Sequence, residues 1–376
     1  MASRFTPALV SVLLVAGCLD DSPTYELDGL VVRTKDFEEI CAESLPYFER
    51  RLESLERATG LPRDPAGVFF HWYLNGPPRK WCPPASNCTI KWSFYSELSS
   101  FSHELAHAQL YRLGHPRTWL VEGMAVMLED EHIATANGVQ SPSDMMRMDE
   151  SSKLDYSEAG AFATYLRDRY GMARLLAYYQ ASAGAGVDRS IALFADAFGD
   201  SFADVEAEYL TLAIFPTAGS PPCDAPEIAW TGATWRHDFV LDCDEPGSMG
   251  PQQSWNDGDD SKGAGLFSEV TMTMPPGRAA LEIASSELVW VRISGCDHLE
   301  WVNLTPDAPR TTVDLKGGKY IVYAESYLDP MATATITARP LPQDAAPATT
   351  DHQRPAHLPI GRDREAYPCK ARMTGP

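Results

Sequence analysis

The sequence predicts an α+β domain, a small N-terminal sheet plus a helical lobe, followed by an all-β sandwich domain. Three observations carry this. Short runs rich in β-branched and aromatic residues occupy 27–33, 68–74 and 89–94. Helical periodicity then dominates from Glu97 to about Ala213. Beyond a Pro-rich stretch at 216–222 the pattern becomes apolar strands punctuated by Gly and Pro. With 376 residues, 44% hydrophobic and 22% charged, the chain can build two domains with cores of their own.

In order, Leu27 to Arg33 reads as a strand, Phe37 to Thr59 as an amphipathic helix ending at Gly60, Val68 to Leu74 as a second strand and Thr89 to Phe94 as a third. Gly114, 137–143, Gly171, 184–186 and Gly199 break the helical region. This first domain is expected over 27–215 and the linker over 216–222. The sandwich follows over 223–340, with strands Trp235 to Leu241, Leu266 to Met274, Ala280 to Ile293, Thr311 to Leu315, Tyr320 to Ala324 and Ala332 to Ala338. Residues 341–376 form a Pro/Ala-rich tail.

One motif in the helical region carries chemistry. In His103-Glu104-Leu105-Ala106-His107, positions i and i+4 of a helix lie one above the other, so both imidazoles face one volume and Glu104 sits beside it. Leu98, Phe101, Leu105 and Ala108 have the spacing of an apolar helix face. Further on, Glu122 is the only charged residue between Thr118 and Leu128. An unpaired buried carboxylate costs several kcal/mol, so Glu122 needs a cation. Gly114 and Pro116 break the chain between the two helices, and an antiparallel hairpin centred between Gly114 and His115 puts 107 opposite 122. Gly123 removes a side chain where two helices must approach closely. Blander readings exist for each part: a helix-surface histidine pair with a solvated Glu104, and for Glu122 a carboxylate near a helix N-terminus capped by Thr118. All of these residues in register are better explained by a metal held by His103, His107 and Glu122, with Glu104 as a base.

The stretch from about 95 to 170 resembles the gluzincin metallopeptidases, whose pattern is HExxH with a glutamate ligand on the following helix. Trp119-Leu120-Val121-Glu122-Gly123-Met124-Ala125 resembles the broader peptidase-MA-like group found in bacterial genomes. The resemblance implies a gluzincin-like catalytic domain in which Zn2+ sits on His103, His107 and Glu122, Glu104 is the general base, and a peptide or protein is the substrate. Thermolysin-type members carry a histidine-orienting aspartate four residues after the ligand glutamate; Val126 stands there in this chain, leaving Glu129, Asp130 or a backbone carbonyl for that role. Tyr156, in a similar place to a tyrosine of related families, is the candidate oxyanion donor, the alternative being a tyrosine that caps a core. Tyr165 is expected in the core. His115 and His132 are expected to be surface histidines. The strand at 89–94 is similar to the edge strand along which gluzincins bind an extended peptide. A different class of protein, a non-catalytic zinc-stabilised envelope lipoprotein, has no use for Glu104 as a base.

Arg4 and an apolar run from Ala8 to Ala16 have the form of a signal peptide, and Val15-Ala16-Gly17-Cys18 resembles a bacterial lipobox. The resemblance implies cleavage after residue 17, anchoring in the lipid bilayer of the cell envelope through acylated Cys18, and a tether over 18–26. The other reading is an ordinary cleaved signal with a chance cysteine. Leu19 rather than aspartate after the cysteine favours the outer membrane over the inner. After Cys18 seven cysteines remain, so at least one thiol is unpaired within the chain. Cys82 and Cys88 flank a short loop that can close on itself, and Cys223 with Cys243 can staple the start of the sandwich. The net charge of −21 argues against a nucleic-acid partner. The run 256–260 reads as an acidic turn rather than a calcium loop, because it lacks EF-hand spacing. Sequons stand at Asn87 and Asn303. The hairpin at 315–322 resembles that of pre-peptidase C-terminal domains.

Overall fold

The computed structural model describes residues 22–342, apart from short internal stretches of which 254–263 is the longest. The expected signal peptide with Cys18, the tail beyond 342 with Cys369, and Asp130, His132 and the acidic run 256–260 lie outside the described residues. The chain is a mixed α and β protein with a β-rich C-terminal part.

Two of the expected N-terminal strands are hairpins. Asp28-Gly29 turns the chain between β1 (Thr24–Leu27) and β2 (Leu30–Thr34), with Gly29 at φ 80°, so part of the expected tether is a strand. β3 (Val68–Trp72) runs parallel to β2. The expected strand over 89–94 folds back as β4 (Cys88–Ile90) and β5 (Ser93–Ser96), with Lys91 at φ 59° in its two-residue turn. The sheet order β1-β2-β3-β5-β4 leaves β4 at an edge. A disulfide joins Cys82 to Cys88 immediately before that edge, closing the short loop the spacing suggests.

α1 (Ser44–Thr59) begins at Ser44 rather than Phe37. Pro46 has no N–H to donate to an earlier turn, so it fits only the first turn of a helix. Gly60, at φ 69°, closes the helix. Val68, Phe70 and Trp72 alternate onto the buried face of the sheet, where the Phe70 ring lies 5.5 Å from Phe48 of α1 and 5.0 Å from Phe101. Phe101 opens α2 (Phe101–Leu110), so the same aromatic core that supports the sheet anchors the helix carrying the histidine pair.

The helical lobe continues through α3 (Thr118–Leu128), α4 (Pro142–Arg147), α5 (Tyr156–Tyr170), α6 (Met172–Ala181), α7 (Val187–Phe198) and α8 (Phe202–Tyr209). Trp119, Phe162, Tyr165, Phe194 and Phe202 fill its core. Between α3 and α4 lies β6 (Ile133–Thr135), which pairs with β7 (Pro216–Ala218). The first residues of the expected linker are therefore tied into the lobe. No helix among the described residues is long and apolar enough to cross a membrane.

Two antiparallel sheets make the C-terminal part. One contains β9 (Met249–Gln253), β10 (Ala264–Met274), β12 (Val289–Gly295), β13 (Trp301–Leu304) and β15 (Gly318–Ser326), in the order β13-β12-β15-β10-β9. The other contains β8 (Trp235–Asp242), β11 (Gly277–Ser285), β14 (Arg310–Leu315) and β16 (Met331–Pro340), in the order β14-β11-β16-β8. The stretch Ala280 to Ile293, expected as one strand, is split between the sheets as β11 and β12.

The expected Cys223–Cys243 staple is not formed. Cys243 bonds to Cys41, just before α1, and Cys223 bonds to Cys296. The reason is the docking of the sandwich on α1, which no local spacing reports. Ser44 Oγ and the Gly250 backbone exchange hydrogen bonds at 3.1 Å, the Tyr47 and Phe267 rings are 5.4 Å apart, and Arg51 Nη2 bonds Glu269 Oε2 at 2.9 Å in a buried pair. Met249 and Phe267 belong to the aromatic core of the first sheet.

Candidate metal centre

The two histidines of α2 and the glutamate of α3 meet across the helix pair. His107 Nε2 lies 3.1 Å from His103 Nε2 and 3.1 Å from Glu122 Oε2, and His103 Nε2 lies 3.5 Å from Glu122 Oε2. Among the described residues these three form a group whose ligand atoms all lie within 4.8 Å of one another. Tetrahedral ligands about 2.0–2.1 Å from a zinc ion are about 3.3–3.4 Å apart. The observed separations bracket that value, and three lone-pair donors at this spacing need a shared proton or cation. The trio fits a divalent metal.

Local sequence explains the convergence. Gly114, at φ 97°, ends a 3-10 turn over Tyr111–Leu113, and the extended stretch before α3 sends that helix back past α2. Gly123 lets α3 approach α5: a Cβ there would stand 2.5 Å from the Ala159 carbonyl oxygen. The close approach read from Gly123 is therefore made with α5, and it fixes the turn of α3 that carries Glu122.

Glu129 supplies the orienting contact that Val126 cannot. Its Oε2 lies 2.6 Å from His103 Nδ1. It stands seven residues after Glu122, about two helical turns on, and so returns to the same side of α3. Of the three alternatives open in the sequence, this is the one among the described residues; Asp130 lies outside them.

Glu104 is 6% exposed, and its Oε2 accepts a 2.6 Å hydrogen bond from Thr89 Oγ1 on β4. Thr89 reads in the sequence as the start of a strand and as the last residue of the Asn87 sequon, and neither signals a role beside the motif. The Tyr156 ring lies 6.1 Å from that of His103 at the start of α5. Burial, then the negative charge of Glu122, raises the Tyr156 pKa, against a bond with Ser151 that lowers it. The phenol stays protonated and able to donate. Tyr165 is 6% exposed in the core of the lobe. His115 bonds the Pro116 carbonyl through Nδ1 in the connecting loop.

Burial opposes a charge on His103, but Glu129, Glu122 and Glu104 outweigh it and raise the imidazole well above its ordinary pKa. Burial likewise opposes ionisation of Glu122, and the two imidazoles overcome it to hold the carboxyl well below the usual range. Three carboxylates around two imidazoles make a centre short of positive charge. A divalent cation would supply it.

No protein-family model matches the chain, and no curated protein matches it. Among solved structures, a family two carbohydrate esterase from Cellvibrio japonicus is similar at 16% identity over 29% of this chain and 34% of that one, with a TM-score of 0.15. A family GH115 4-O-methyl-alpha-glucuronidase is similar at 12% identity over 65% of this chain and 39% of that one, with a TM-score of 0.17. The chain thus spans little more than a third of the length of either. A hydroxypropylphosphonic acid epoxidase from S. wedmorenis is similar at 11% identity over 48% of this chain and 96% of that one, with a TM-score of 0.13. Likenesses this slight carry no weight for fold or function.

Proposed function

We propose that the chain is a gluzincin-like zinc metallopeptidase whose metal ligands are His103, His107 and Glu122. The observation that carries this is the triad spacing of 3.1, 3.1 and 3.5 Å beside a buried glutamate that belongs to no ligand pair. A zinc ion held there supplies a Lewis acid for water and for the scissile carbonyl. Glu104, held by Thr89, takes the proton of the attacking water and passes it to the leaving amine nitrogen. The Tyr156 hydroxyl donates to the carbonyl oxygen as that oxygen gains negative charge. β4, an edge strand beside Glu104, offers backbone groups to an extended peptide.

The test is Glu104→Gln, which keeps size and most hydrogen bonding but removes the base. Zinc content and melting temperature should change little, while peptide hydrolysis falls by at least about 10²-fold. Equal hydrolysis by both proteins rules the mechanism out. A zinc-loaded wild type that cleaves nothing across a broad peptide library favours instead the non-catalytic, zinc-stabilised lipoprotein.

We place the protein on the bacterial cell envelope, in the outer membrane, held by acylated Cys18. Cys18→Ala should abolish incorporation of labelled fatty acid; label persisting on that variant rules the anchor out.

A further inference from the structure

Tyr111 stands four residues after His107 and seven after Glu104 in the sequence. At 100° per residue, seven residues bring a helical chain back to within about 20° of the same direction, about 10.5 Å further along the axis. Tyr111, in the 3-10 turn that continues α2, therefore extends the line of Glu104 along the helix axis. The β4–β5 hairpin keeps pace with it. Thr89 bonds Glu104, and Trp92, in the two-residue turn at the tip of the hairpin, meets Tyr111 edge to face with ring centroids 5.5 Å apart. These two contacts, one at Glu104 and one at Tyr111, lay the hairpin along α2 as one wall.

The end of that wall is aromatic and open. Trp92 is 43% exposed, although a large aromatic ring gains from burial, and Tyr111 is partly exposed. Ile90, at 44% exposure on the same hairpin, is two places from Cys88 and alternates with Thr89, so it points to the other face of the sheet. Among the described residues, the solvent-facing apolar surface on the α2 side of the hairpin is thus the Trp92–Tyr111 pair, about two helical turns beyond Glu104.

We infer that Trp92 and Tyr111 form the subsite for one large apolar side chain of the peptide substrate, an inference that rests on the peptidase reading. A peptide paired with β4 sends alternate side chains toward α2, and one of them lies over the aromatic pair. The substrates are accordingly peptides with Phe, Leu or a residue of similar size at one fixed place relative to the cut, and the chain is not an indiscriminate peptidase.

The experiment uses the full chain as Glu104→Gln, loaded with Zn2+, so that peptides bind without being cut. Fluorescently labelled hexapeptides carrying Phe, Leu or Ala at each position in turn are titrated and followed by anisotropy. Adding Trp92→Ala should weaken binding of the Phe and Leu peptides at one position by at least about 10-fold and leave their Ala counterparts within about 2-fold. Tyr111→Ala should act in the same direction, and Leu210→Ala, which removes an exposed apolar side chain just after α8, should leave every peptide within about 2-fold. Zinc stoichiometry checks that each variant keeps its centre. If Trp92→Ala weakens all peptides alike, or none, or if Leu210→Ala matches it, the subsite is wrong while peptide binding itself leaves the peptidase reading standing. If no zinc-loaded form binds any peptide, both fall.

Discussion

Glu129 Oε2 lies 2.6 Å from His103 Nδ1, so the imidazole donates Nδ1–H to the carboxylate and turns Nε2 toward His107 and Glu122. This contact fixes the direction of the His103 ring, and with a metal on Nε2 it would also fix the tautomer.

Glu129→Ala should therefore lower zinc affinity about 10- to 100-fold while the three ligands stay in place. A competition titration against a chelator of known affinity reads this directly. Unchanged affinity, with His103→Ala abolishing binding in the same assay, removes the positioning role from Glu129.

Gly123 should tolerate no side chain. An added Cβ would meet the Ala159 carbonyl oxygen at 2.5 Å, and backbone on α5 cannot swing aside as a flexible side chain can. Gly123→Ala should destabilise the protein by about 1–3 kcal/mol and, because it pushes α3 off α5, weaken zinc binding through the neighbouring Glu122. A melting temperature equal to wild type in the presence of a chelator counts against the packing argument.

That the candidate residues lie together was legible in the sequence because the rule is local. His103, Glu104 and His107 need only helical spacing, and Glu122 needs only one hairpin centred between Gly114 and His115. Glu129 was legible as one of three alternatives, at a heptad from Glu122. The contacts of Thr89 and Trp92 were not, since they depend on the hairpin at Lys91 turning the expected strand back along α2. The Asp28-Gly29 turn was readable and decides the same point for β1 and β2. The disulfides show the limit most clearly. Cys82–Cys88 follows from a short loop, whereas Cys41–Cys243 spans 202 residues and depends on the sandwich docking against α1. Tyr47, Arg51 and Phe267 read as ordinary amphipathic helix and strand residues. Only tertiary packing makes them partners.

The sandwich side of that docking face contains a carboxyl that should govern stability between acid and neutral pH. Glu325 is 7% exposed on β15, and burial pushes its pKa up from 4.5 to about 7, although Gln252, Tyr323 and Arg292 favour the charge. Gln252 Nε2 donates to Glu325 Oε1 at 2.5 Å and the Tyr323 hydroxyl to Oε2 at 3.3 Å. With its pKa raised on folding, the native state holds this proton more tightly than the unfolded chain does. Below about pH 4.5 both states are protonated and the group has no effect. As pH rises through the window from 4.5 to about 7 the unfolded chain ionises first, so stability falls, by at most about 3 kcal/mol, and levels off above it. Glu325→Gln keeps the shape and cannot ionise. Urea unfolding of both proteins from pH 4 to 9 isolates the effect, because the metal centre titrates in both and cancels in the difference. The variant should match wild type near pH 4 and exceed it in stability at pH 8. Parallel pH profiles would mean that the Glu325 carboxyl is hydrated or fully compensated in the folded protein, and the buried polar cluster on β15 would then have no part in its pH response.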